Sequence, residues 1–183
     1  FAAKKEAPLI RNGQLDPFAL GFPLPVLRKY KYVMSLPPSS PPASSNKKIR
    51  PVISCLLKHG EEVLILKRSK HVGSFQGYWS CISGYLEAGE DPQHTAYREV
   101  FEETQLQEST ILETIYAGPF YPEADDVIFE THWFLLETNT KEITLDWEHD
   151  ECRWVTPEKF SGYQVVPWLP TLTDHLFAKR SAG

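Results

Sequence analysis

Between Gly84 and Leu106 the chain combines a glycine-punctuated loop, a sharply marked helix start and a run of acids, and this segment restricts the fold more than any other. Asp91 followed by Pro92 reads as an N-cap with proline at the first helical position, where a missing N–H is harmless. Ala96, Val100 and Thr104 or Leu106 then fall near one stripe, so the helix is expected to run to about Thr104. Glu99, Glu102 and Glu103 are related by three and four residues, which brings their side chains out on one helix face. Three carboxylates held together repel one another unless a cation neutralises them. Oxygen-only donors favour a hard ion, Mg2+ with Mn2+ as a substitute, over zinc. Gly84 and Gly89 let the preceding loop bend back and offer a carbonyl to the same ion. Acid clusters on helices are usually solvated faces, so this spacing alone leaves both readings open.

Strand-like runs surround the helix. Val52–Lys58 and Glu62–Arg68 are separated by His59, Gly60 and Glu61 and read as a hairpin. Further strands are expected at Trp79–Ser83, Ile111–Tyr116, Val127–Leu136, Ile143–Leu145 and Cys152–Val155, with a short helix near Pro157–Phe160 and a last helix from about Pro167 to Lys179. Strands, one central helix, more strands and a closing helix predict an α+β chain, an α/β/α sandwich with a mixed sheet flanked by helices.

Charge and cysteine usage narrow the function classes. Residues 1–50 hold nine Lys/Arg against Glu6 and Asp16, whereas residues 51–183 hold ten against 22 acids, within a net charge of −5. An acidic body is no surface for coating DNA, and it suits a site that concentrates divalent cations. No apolar run approaches the roughly 20 residues that a membrane span needs. Cys55, Cys81 and Cys152 are widely spaced in apolar stretches and read as reduced core thiols, which points to an intracellular, cytoplasmic protein, or to an organelle once a transit peptide has been removed. Ser35–Asn46 is a Pro/Ser linker, so residues 1–49 form an extension ahead of a domain at 50–183, and residues 1–46 are expected to be dispensable for folding and catalysis. The mixture of Phe, Leu and basic residues in Asp16–Val33 either docks on the domain or offers a surface to a second copy or a protein partner.

In register, Gly84, Glu90, Arg98, Glu99, Val100, Glu102, Glu103 and Leu106 resemble the Nudix box, with one departure at Gln105, where the family has glycine. Upstream, Gly77-Tyr78-Trp79 is similar to the family's Gly-x-Trp, and Ile82-Ser83 departs from a frequent Pro-Gly pair; downstream, Glu148–Val155 is similar to the strand that closes the family's sheet. The resemblance implies a Mg2+-dependent hydrolase that cuts a pyrophosphate bond in a nucleoside diphosphate linked to another moiety, with a nucleotide-type small molecule as its substrate. It implies that Glu99, Glu102, Glu103 and the main-chain carbonyl of Ser83 hold the metal. It gives Arg98 a structural role, paired with Glu87 or Glu90 beside Gly84.

Outside the box, the resemblance implies Glu148 as the catalytic acid acting with Glu102, because it lies six residues before Trp154, as such an acid does in some members of the family, with Glu151 and Glu130 in reserve. Arg68 is expected to contact phosphate, and Tyr78, Trp79 and Tyr85 to contact the rest of the substrate; Phe75, Tyr78 and Trp79 also read as core aromatics. A non-catalytic module of the same fold, binding a nucleotide or a protein, is the alternative, and so, more remotely, is an isoprenoid-diphosphate isomerase. The intact set of acids separates the enzyme reading from both.

Overall fold

Strand runs in which both alternating sets of residues are apolar belong at the centre of a sheet covered on its two sides. The computed structural model of the chain describes residues 36–182, apart from 44 and 125, and the backbone of 10–11 and 14–15. The last four form a small ribbon of β1 (Ile10–Arg11) and β2 (Gln14–Leu15). The expected docking or partner-binding role of Asp16–Val33 lies outside the described residues.

The main sheet starts at β3 (Lys48–His59), ahead of the expected boundary at Arg50. A tight turn at Gly60, with φ +61°, joins it to β4 (Glu62–Arg68). The expected strand over Trp79–Ser83 is two pieces, because each pairs with a different partner: β5 (Trp79–Ser80) with β4, and β6 (Ile82–Tyr85) with β3. Then come helix α1 (Pro92–Thr104), β7 (Ile111–Phe120), β8 (Glu123–Ala124), β9 (Val127–Thr138), β10 (His149–Val155) and helix α2 (Leu169–Ser181), with a 3-10 turn at Pro157–Gly162 before α2. The strand order is β10-β4-β3-β9-β7. Of the paired strands described here only β3 and β9 run parallel, which makes the sheet mixed.

Side-chain alternation divides the core into two layers. Ile53, Cys55 and Leu57 of β3, Leu64 and Leu66 of β4, and Phe134 and Leu136 of β9 meet Ala96 and Val100 of α1. Leu56, Val63, Ile65, Trp133 and Leu135 point the other way and meet Leu169, Leu172 and Leu176 of α2. The α/β/α arrangement is thus the expected one. Cys55, Cys81 and Cys152 are all free thiols; burial raises Cys55 well above its usual range and pushes Cys81 up to about 12. Among the described residues no helix is long and apolar enough to cross a membrane.

Ile143–Leu145 is not a strand. The backbone N–H of Thr144 donates to the Thr104 carbonyl at 3.0 Å, and Ile143 and Leu145 pack on the α1 side of the core. This short apolar stretch is held by the end of a helix and has no strand neighbour. The Pro/Ser linker is likewise tied down: Pro37 is buried, the Pro38 carbonyl accepts from the Tyr121 N–H at 2.7 Å, and Lys47 pairs with Glu123 at 2.7 Å.

Candidate active site

Asp91 caps α1 as its sequence requires: one carboxylate oxygen accepts from the backbone N–H groups of Gln93 and His94, each at 3.0 Å. This cap fixes where α1 begins, and packing on the sheet selects its inward face. Ala96, Val100 and Glu103 share the inward stripe at helical spacing, so Glu103 occupies a core position and its side chain is only 4 % exposed. Glu99 stands at the edge of that stripe at 13 %, and Glu102 faces outward at 54 %. The three acids therefore do not form one equivalent set, and Glu102 is the solvated member.

Each acid has distinct neighbours. Arg98 reaches Glu99 at 3.0 Å, Glu90 at 3.4 Å and Glu102 at 3.5 Å. Glu90, the partner present of the two expected, also accepts from the Glu87 N–H and the Thr95 hydroxyl, which ties the loop to the helix. A Cβ on Gly84 would stand 2.2 Å from the Glu99 carboxyl carbon, so this loop position accepts only glycine while Glu99 keeps its place. One oxygen of Glu103 accepts from the Ser83 N–H at 3.2 Å. The other is buried without a hydrogen-bond partner, and the nearest cationic candidate is His149 Nε2 at 3.7 Å. His149 is in turn held at Nδ1 by Asp146 at 3.2 Å.

Crowding appears in the acidities. Burial, opposed by Arg98 and reinforced by Glu102, Glu148 and Glu90, pushes the Glu99 carboxyl up to about 7. Burial, opposed by the Ser83 N–H and reinforced by Glu148, Asp146 and Glu99, raises Glu103 well above the carboxylate range. Burial and Asp146 also raise Glu148, with Arg68 pulling the other way.

Glu99, Ser83, Gly84, Arg98, Glu148 and Arg68 all line one cleft of about 840 Å³. Glu148 is delivered by the loop before β10, with its N–H on Asp146 Oδ1 at 3.1 Å and its carbonyl accepting from the Ser69 N–H at 2.7 Å. Both reserves lie outside the cleft: Glu151 is paired with Lys67 and Arg153, and Glu130 with His132 and Tyr121. Arg68 donates from Nε to the Ser74 carbonyl at 3.0 Å, which anchors it at the cleft wall. Tyr85 is on the lining and 57 % exposed.

The placement of the other two aromatics is a correction. Trp79 is a core residue, edge-on to Tyr163 at 5.2 Å, and Tyr78 packs edge-on to Phe75 at 5.4 Å; neither lines the cleft, and both pack with the α2 layer of the core. Of the lining aromatics that sequence reasoning misses, Trp147 is the most open, 66 % exposed. Its signal is its place directly before Glu148. His149 and Asp146 are hidden in what reads as an acidic surface stretch, and Pro37 in what reads as linker.

Among the described residues no three His, Cys, Asp or Glu side chains already converge at metal-binding distance. The donors nevertheless fit a hard cation. They are all oxygens, Glu103 holds a buried oxygen with no partner, and the Arg98 guanidinium stands among Glu90, Glu99 and Glu102, where the negative charge is concentrated.

A family model described as the NUDIX domain matches residues 48–176. The chain belongs to the Nudix family. Over 126 residues it is 31 % identical to an NAD-capped RNA hydrolase NudC of Haemophilus influenzae, a match that covers 67 % of this chain and 43 % of that protein, so the chain spans less than half the length of that relative. It is also 32 % identical over 114 residues to a dihydroneopterin triphosphate diphosphatase of the same species, covering 56 % of this chain and 70 % of the other. Among solved structures, a MutT protein from Methanosarcina mazei superposes with a TM-score of 0.60 at 22 % identity, covering 75 % of this chain and 99 % of its own. A C. elegans Ap4A hydrolase does so with a TM-score of 0.57 at 19 % identity, covering 73 % and 99 %. These two structures share the Nudix fold with the chain.

Proposed function

We propose that this Nudix protein is a Mg2+-dependent pyrophosphohydrolase, with Mn2+ as a substitute ion, that cleaves the phosphoanhydride bond of a nucleoside diphosphate linked to another moiety. The observation that carries the reading is the placement of Glu99 and Glu148 on the lining of one cleft, with Glu103 buried beside them on α1 and held by the Ser83 N–H, all three acidities weakened first by burial. Carboxyls crowded in this way are stabilised most by a multiply charged cation, and an anionic pyrophosphate entering an acidic cleft needs the same neutralisation.

Glu99, Glu102, Glu103 and the Ser83 carbonyl would hold the ion. When bound it supplies positive charge against the phosphate oxygens and acidifies the attacking water. Arg68, anchored on the Ser74 carbonyl, orients a phosphate at the cleft wall. Glu148 accepts the proton of the water as its oxygen bonds to phosphorus and the anhydride P–O bond breaks. Arg98 keeps Glu99 and Glu102 in position, and Gly84 leaves room for the Glu99 carboxylate. Tyr85 and Trp147 offer exposed rings to the substrate. The free thiols Cys55 and Cys81 support a reducing, intracellular setting.

The test is a product-release screen over nucleoside triphosphates, dinucleotides, nucleotide sugars and capped RNA, with Mg2+ or Mn2+ and with Glu102→Gln as control. Cation-dependent release of nucleotide products, lost or sharply reduced in the control, is the expected result. Tight nucleotide binding with no product at any pH would replace the enzyme by the binding module.

A further inference from the structure

The register of three strands gives the cleft two ends. Val52 of β3 pairs with Tyr85 of β6 on one side and with Thr131 of β9 on the other, and all three residues line the cleft. Its floor therefore crosses β6, β3 and β9. Two strand spacings, about 10 Å, separate the β6 edge from the β9 edge. The β6 edge is the polar end, carrying Gly84 with Glu99 beneath it and Arg98 close by. The β9 edge is apolar and flat-sided, carrying Phe129, Pro122, Ala124 and the linker residue Pro37. Glu123, which also lines the cleft, is paired with Lys47. Pro37 is held there by two anchors that follow it in the chain: the carbonyl of the next residue accepts from the Tyr121 N–H, and just past the linker Lys47 grips β8 through Glu123.

We propose that the linker segment Leu36–Pro38 is a wall of the substrate site, with Pro37 seating the base of a nucleotide whose phosphates lie toward Arg68 and the acids of α1. The inference rests on reading the cleft as a pyrophosphate-hydrolase site, and it assigns the two halves of the substrate to the two ends. The separation between the ends is on the scale of a nucleoside. Proline and phenylalanine rings present flat apolar faces, which suit the face of a base and offer nothing to a second phosphate. Ser39, Ser40 and the residues that follow then serve as the tether between this wall and β3, which explains why a linker of this composition lies against the domain.

The experiment compares binding of AMP, GMP, CMP and UMP with binding of ribose 5-phosphate, which has the same phosphate and sugar without a base, by titration calorimetry on the full chain with Mg2+. In the wild-type protein at least one nucleotide binds more tightly than ribose 5-phosphate. Pro37→Gly lowers that preference roughly tenfold, the scale of a lost apolar contact in a specificity pocket. Should its thermal transition show that Pro37→Gly does not fold, Pro37→Ala, which keeps Cβ and removes the ring, lowers the preference in the same direction. The proposal is overturned if no nucleotide is preferred over ribose 5-phosphate, if the variant leaves the preference unchanged, or if the variant weakens all five ligands equally. Turnover is measured in parallel: a wild-type protein that shows the base preference and its loss in Pro37→Gly but hydrolyses nothing keeps the wall and loses the enzyme reading, and the reverse pattern keeps the enzyme and loses the wall.

Discussion

The segment from Gly84 to Thr104 and the loop from Lys141 to His149 both bring carboxylates to the cleft, by opposite means. In the first, a capped helix sets the spacing, and Arg98, Glu90 and Gly84 adjust it through neighbours close in sequence. In the second there is no regular structure from Lys141 to Asp146; Glu148 is placed by a hydrogen bond to Asp146, a backbone bond from Ser69 and the docking of Thr144 on the end of α1. A helix holds several ligands in fixed relation at little cost. A loop can bring one acid, with Trp147 beside it, to a point that no helix residue reaches. The acids that would hold a cation thus sit on the rigid element, and the acid that would take a proton sits on the adaptable one.

The comparison breaks most severely at Glu103. Glu103→Gln is expected to lower turnover by about 10³-fold, the scale of removing one fixed electrostatic stabiliser, while the metal-free protein melts no lower, because a crowded carboxyl is gone. Normal turnover in both this variant and Glu102→Gln would move the metal off the helix.

Glu148→Gln tests the loop side, with an expected fall in kcat of about 10²-fold and little change in ground-state binding. Glu151→Gln, in a surface pair with Lys67 and Arg153, should leave steady-state rates as they are. Reversed outcomes would assign the proton-accepting role to the wrong side of β10.

A third difference is visible without substrate. Glu99 is raised to about 7 in the folded protein from an ordinary value of 4.5. Folding is unaffected below the lower value, loses stability as pH rises between the two, and carries the full penalty above pH 7, where both states are ionised. Metal-free protein should therefore lose roughly 3 kcal/mol from this group between those limits. Added Mg2+ should restore it, and Glu99→Gln should flatten the slope, as read by denaturant titration across the range. A flat wild-type profile would mean that the helix does not crowd its acids.

The smallest effect lies at the helix end. Gln105 adopts φ +58°, a left-handed conformation that glycine tolerates without strain. Gln105→Gly should raise stability by about 1 kcal/mol and leave kinetics unchanged. A loss would show that the side-chain bond from Gln105 to the Phe101 carbonyl outweighs the backbone strain.

The features legible in the sequence are those set by interactions within a few residues. Asp91 and Pro92 start α1, alternation in β3, β4 and β9 builds the sheet, Gly60 closes a hairpin, and the acid spacing marks the site, because caps, side-chain period and turn geometry are local. Contacts across the sheet decide the rest. They put Glu103 inward and Glu102 outward, turn Trp79 into the α2 layer, keep Ile143–Leu145 out of the sheet, and set Trp147 and Pro37 on the cleft. The sequence carries no local mark for these placements, since a buried glutamate, an exposed tryptophan and a docked proline are each defined by residues far along the chain that fold up against them.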